Sequence, residues 1–222
     1  MPGQRDVLVD LFEREFIESQ EATGMTIIGQ FRDLNKPDRF VWLRGFDDMD
    51  SRARQLQEFY GGPIWKKHRQ AANATMIDSD NVLLLRPARS DSGFSLENLK
   101  RSALGTNETS NALVVATIYY LVDSGDSFAE LVEPKCGPQL VNAGASILAT
   151  FVTEKHPNTF PALPVREGEN VFVSFSRFAN RQTFEQHANL IVGKNFRAPG
   201  FRLIENEPEI LLLAPTARSL LR

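Results

Sequence analysis

The sequence has little cysteine: Cys136 stands alone among 222 residues. One thiol cannot close an internal disulfide, and it cannot build a zinc site by itself. Long apolar runs are also missing. The longest, such as Ala112 to Val122, fall far short of the ~18–20 residues a bilayer-crossing helix needs, so no membrane span is expected. The N-terminus, Met1-Pro2-Gly3-Gln4-Arg5-Asp6, lacks the apolar core of a secretory signal. There is no basic excess, since the formal charge is −3, and nucleic-acid binding is not expected. No glycine-rich phosphate loop, no Gly-x-Ser-x-Gly elbow and no paired-cysteine metal motif occurs, so neither cofactor nor metal is predicted. Together these absences point to a soluble protein of a reducing compartment, cytoplasmic by default.

What is present is ordinary globular material. Hydrophobic residues make up 42% and charged residues 24%, and the length fits one large domain or two small ones. Val7, Leu8, Leu11, Phe12 and Phe16 keep the 3.6-residue rhythm of an amphipathic helix, which Gly24 ends. Thr26 to Asp33 and Arg39 to Phe46 read as a hairpin around the turn Asn35-Lys36-Pro37-Asp38. Asp47-Asp48 caps a helix from Met49 to Tyr60. Pro63 starts another, running to about Ala74. Asn81 to Arg86 reads as a buried strand. Residues 88–111, rich in Ser, Asn, Gly and charge, read as a linker with a short helical turn within Gly93 to Leu104. Beyond it come a strand (Leu113 to Val122), a helix (Ser127 to Val141), two strands (Ser146 to Thr153, Asn170 to Phe178), a helix (Asn180 to Val192) and a strand (Glu209 to Leu213).

The halves match each other. Leu8, Asp10, Leu11, Phe12 and Glu13 lie 120 positions before Phe128, Glu130, Leu131, Val132 and Glu133. Gly24, Ile27 and Ile28 match Gly144, Ile147 and Leu148 at the same offset. Phe40-Val41 and Phe46 match Phe172-Val173 and Phe178. Lys66, Arg69 and Leu83 to Leu85 match Lys194, Arg197 and Leu211 to Leu213. The offset changes only in loops, where insertions are tolerated; the competing reading is that two such halves look alike by hydrophobic pattern alone. The expected fold is therefore α+β: tandem ferredoxin-like βαββαβ repeats, residues 1–87 and 112–222 around the 88–111 linker. The strand Leu113 to Val122 opens the second repeat, and the first repeat lacks its counterpart. An upstream start is the expectation from that gap.

The stretches Gly29-Gln30-Phe31-Arg32-Asp33-Leu34, Pro37 to Phe46, Trp65 to Asn73 and Asp78 to Pro87 resemble a bacterial NIPSNAP-family protein. The resemblance is close over residues 3–87 and looser beyond. It implies a dimeric α+β-barrel-type fold, closed within one chain by the two halves, and it implies no settled activity. The chain departs from the family in starting after the first strand.

Candidate chemistry centres on one strand face. Val41 and Leu43 share the apolar face of Arg39 to Phe46 and are expected to meet helices. Phe40, Trp42 and Arg44 share the mixed face and are expected to line a cavity, with Trp65, His68, Asn73 and Tyr119 as further candidates. Such a lining suits a small aromatic or anionic ligand; the plainer alternative makes Trp42 core and Arg44 an edge cap. His68 is the candidate catalytic group, as base, acid or ligand. Its plainer reading is a helix histidine bonded to a neighbouring backbone group or carboxylate, and its repeat position is Phe196. Cys136, between Pro134 and Pro138, is expected to be inert. Two functions follow. The first is a small-ligand-binding or partner-binding barrel without established catalysis. The alternative is a cofactor-poor, monooxygenase-like oxidoreductase using a pocket histidine. A homodimer is expected.

Overall fold

A computed structural model describes residues 1–106, 108, 110–192 and 203–222. Lys194, Phe196 and Arg197, and the side chains of Cys136 and His187, lie outside that set. The first helical segment comprises α1 (Arg5–Leu11), a π-helical turn (Phe12–Phe16) and α2 (Ile17–Glu21). Leu8, Leu11, Phe12, Phe16 and Ile17 are its buried stripe. Strands β1 (Thr26–Asp33) and β2 (Phe40–Gly45) form the hairpin. The buried Asp33 carboxylate fixes its turn by accepting from Asn35 N at 2.8 Å. Helix α3 (Met49–Gly61) is capped by Asp48, whose Oδ1 accepts from Ser51 N at 2.6 Å. Pro63 opens α4 (Pro63–Thr75).

The chain then crosses to the far edge of the sheet as β3 (Leu85–Pro87). The second half follows as β4 (Leu113–Tyr120), α5 (Gly125–Asn142), β5 (Ser146–Thr153), β6 (Val171–Phe178), α6 (Arg181–Val192) and β7 (Glu209–Pro215). All pairings are antiparallel, in the order β2-β1-β7-β4-β6-β5-β3. The order β7-β4-β6-β5 is that of a ferredoxin-like unit. The mixed α+β sheet curls round one apolar cluster that includes Phe31, Val114, Ile118, Val173 and Leu213. Separate clusters fill the space between its outer face and the helices.

The halves share a strand register. Phe31 faces Val41 and Pro215; 120 positions later, Phe151 faces Val173 and Pro87. The register shifts between Ile27 and Gly29 in one hairpin and between Ile147 and Ala149 in the other. Gly24 and Gly144, with φ of 95° and 80°, end the two helical segments in the left-handed region. The last strand of each half pairs with the first strand of the other half's hairpin, as β7 with β1 and β3 with β5. The sheet ends are β2 and β3, the counterparts of β6 and β7, which flank β4. No described strand stands between β2 and β3.

Three expectations need correction. The two faces of β2 are reversed: Phe40 and Trp42 pack against the helices, whereas Val41 and Leu43 join the cluster inside the curl. Phe12, presented by the first helical segment, meets the Phe40 and Trp42 rings and draws that face to the helix side. The strand expected over Asn81 to Arg86 is confined to Leu85–Pro87; before it, Val82 and Leu84 carbonyls accept from Arg166 and Glu154. The helical turn expected within 93–104 is reduced to one hydrogen-bonded turn, Leu99 N to the Leu96 carbonyl at 3.0 Å. Residues 88–101 lie along the sheet, with Phe94 and Leu96 inside the curl.

Candidate functional site

The helix-facing sides of the two halves are built differently. In the first half, rings close the space. Phe12 lies 5.6 Å from Trp42 and 5.4 Å from Phe40, and Phe16 lies 5.6 Å from Trp65 and 5.8 Å from Phe59. In the second half a cleft of about 260 Å³ opens between α5 and the strands. Tyr119, Val132, Gly137, Leu140, Phe172 and Ser174 line its depth.

Its polar rim comes from residues 89–93 and from Glu133. Ser92 anchors the rim: its N–H is held by the Arg89 carbonyl, and its Oγ donates to the Thr150 carbonyl at 2.8 Å. The backbone is zipped to β5 as well, through Thr150 N to the Ser92 carbonyl at 2.8 Å and Ala88 N to the Thr150 carbonyl at 3.1 Å. This places Arg89 over the cleft. Its guanidinium meets Glu133, which also accepts from the Thr150 hydroxyl. Glu133 is mostly enclosed, whereas Arg89 is 54% exposed and stands at the mouth. Arg86 and Asp126, 2.6 Å apart, tie β3 to the first turn of α5. The Arg86 hydrogen bond holds the Asp126 carboxyl below its usual range, against a smaller opposing effect of burial.

A carboxylate facing an apolar cleft beside an exposed guanidinium can accept a proton from a bound molecule. The cation can neutralise the anion that results. Among the described residues no group of three or more His, Cys, Asp or Glu side chains gathers as a metal would require. No described helix is long and apolar enough to cross a membrane.

The structure gathers Phe40, Trp42 and Trp65 in the aromatic cluster of the first half. Arg44 lies beside it, its guanidinium 5.9 Å from the Trp42 ring. His68 is 16% exposed, 3.5 Å from Glu15 through Nε2, with its ring 6.4 Å from Phe16. It does not line the α5 cleft. Asn73 is exposed on α4. Tyr119 alone of the seven lines that cleft. Arg89, Glu133 and Thr150 escaped the sequence reading. The repeat carried a signal for Glu133, since Glu13 matches it, but nothing in the sequence showed that the surrounding residues leave a space.

No protein-family profile and no curated protein matches the chain. Solved structures do. A candidate monooxygenase from Lactobacillus acidophilus NCFM aligns with a TM-score of 0.50 at 12% identity, over 98% of this chain and 91% of that one. A candidate monooxygenase from Fusobacterium nucleatum subsp. nucleatum ATCC 25586 aligns with a TM-score of 0.54 at 9% identity, over 97% and 88%. The shared property is the α+β barrel-type fold.

Proposed function

We propose that the chain is a monooxygenase-type enzyme acting on a compact aromatic molecule in the α5 cleft. The carrying observation is the enclosed Glu133 carboxylate beside Tyr119 and Phe172, held by Thr150 and Arg89. The likeness to two candidate monooxygenases supports the reading at the level of fold, which by itself does not fix function. The reaction balances with the substrate as sole reductant if a ring methylene conjugated to a ketone of the same molecule becomes a second carbonyl. The carbon gives up four electrons and two hydrogens; one oxygen atom of O2 bonds to it and the other leaves as water. Glu133 takes the first proton, and Arg89 turns from Glu133 to the enolate oxygen that forms.

An oxygen electrode tests this with aromatic ketones that carry a doubly benzylic methylene. Oxygen uptake is expected, with Glu133→Gln slowing turnover about a hundredfold at little change in Kd. Tight binding without oxygen uptake would leave a ligand-binding barrel instead. The same reading takes the two halves as copies of one βαββαβ unit, supported by their common register. It keeps the NIPSNAP-like character of residues 3–87 as a relationship of sequence.

A further inference from the structure

Two arginines of the first half have neutral partners only. Arg52, on α3, is 2% exposed. Its Nη1 donates to Asn158 Oδ1 at 3.0 Å and Thr159 Oγ1 at 3.3 Å. Its Nη2 is sealed from solvent with no acceptor. Arg44, on β2, donates from Nη1 to Gln20 Oε1 at 3.2 Å and to Tyr60 OH at 3.4 Å. Arg218, buried to a similar degree, is met by Glu18, and Arg101 by Glu21. Among the described residues no carboxylate pairs with Arg52 or Arg44. Burial, and then the neighbouring charge of Arg44, pulls the Arg52 guanidinium below its usual range. A buried cation without a counter-charge is destabilising, and a second cation beside it adds to the cost.

We infer that Arg52 and Arg44 form an anion site, and that it takes a small carboxylate with an apolar body. A guanidinium offers a planar fork that a carboxylate matches with two parallel hydrogen bonds. The surroundings select the rest of the ligand. Tyr60 and Phe160 stack at 5.6 Å, and Phe59, Trp42 and Trp65 complete a wall of rings. Rings accept an aromatic or aliphatic body and give a strongly hydrated phosphate dianion nothing to replace its water. Asn158, Thr159 and Phe160 belong to the stretch between β5 and β6, which has neither helix nor strand. This segment reaches across from the second half to cover Arg52, and the ligand enters by taking its place. The site lies in the opposite half from the α5 cleft and does not rest on the oxygenase reading.

Calorimetric titration of the full chain with benzoate, benzamide and inorganic phosphate, at equal ionic strength, tests the assignment, with thermal unfolding alongside. Benzoate is expected to bind and raise Tm. Benzamide, with the same shape and no charge, and phosphate should each bind at least about tenfold more weakly. Arg52→Met should cost benzoate at least about tenfold in affinity while unfolding no earlier than the wild type without benzoate, because an apolar side chain replaces an unmatched charge. Arg52→Lys keeps the charge, loses the fork and should fall between. Should Arg52→Met not fold, Arg44→Gln serves in the same titration with the same expected loss. No benzoate binding, equal binding of benzamide, tighter binding of phosphate, or undiminished benzoate affinity in the variants would each overturn the proposal.

Discussion

The two helix-facing compartments share a strand register and differ in contents. At corresponding positions Phe12 stands against Val132, Ile17 against Gly137, and Trp42 against Ser174. The second member of each pair lines the cleft. The first members are part of, or packed against, the closed aromatic cluster. Each of these three cleft-lining residues is smaller than the one it stands against. Covering helices differ too. The first compartment has α1, α2, α3 and α4 around it, while α5 carries Pro134 and Pro138 inside its length and is poorly amphipathic. A strand framework can thus be kept while side-chain size and helix cover together decide whether a compartment is closed or open.

Emptying the closed compartment should have the largest effect. Trp42→Ser removes a half-buried indole that touches Phe12 and Phe40, and is expected to cost about 3 kcal/mol, measured by urea unfolding with the m-value unchanged. A cost below about 1 kcal/mol would mean that the rings are not what closes this side. Filling the open compartment is the converse. Ser174→Trp places an indole in the cleft and should abolish ligand binding there. Its stability should change by no more than about 1–2 kcal/mol, because the space already exists and only its fit is in question. A loss as large as that of Trp42→Ser would show that the cleft is narrower than its volume implies.

Much of the frame was legible in the chain. The hairpin, α3, α4 and the second half follow from period, caps and turn residues, and the offset of 120 positions anticipated a shared register. The faces of β2 were read backwards because alternation says which residues share a face and is silent on which neighbour each face meets. Trp42 and Arg44 were expected inside the curl; they stand instead on the helix side, among Tyr60 and Trp65. The cleft was out of reach for a different reason. Its key residues are small, such as Gly137 and Ser174, and an absence of volume appears only once the neighbours are placed. Nothing in the sequence marks Arg52, one charged residue of helix α3. The segment around Asn158, more than a hundred positions away, supplies its hydrogen-bond partners.

The last comparison is electrostatic. Asp6 and Asp126 occupy the same place in the first turns of α1 and α5. Each meets a strand arginine: Asp6 meets Arg32 of β1 at 2.7 Å and Asp126 meets Arg86 of β3 at 2.6 Å. In both, the arginine hydrogen bond is the main cause of a carboxyl held below its ordinary 3.8, with burial opposing. A depressed folded value means that the unfolded chain binds more protons in acid. The stabilisation is then present above the ordinary value and is lost as pH falls through the lower folded one. Both carboxylates are largely exposed, so solvent and salt screen them and the effect is the smallest of the three. The expected result is a shallower fall in Tm between about pH 6 and pH 3 for Arg32→Met and for Arg86→Met than for the wild type, each difference shrinking in about 0.5 M salt. The two should not respond alike. Arg32 sits on a strand paired on both sides, whereas Arg86 sits on a three-residue strand at the end of the sheet. A short edge strand opens more readily, so the Asp126 contribution should already be weakened at temperatures where that of Asp6 persists. Equal acid slopes at low and high temperature for the two variants would show that β3 is held as firmly as β1.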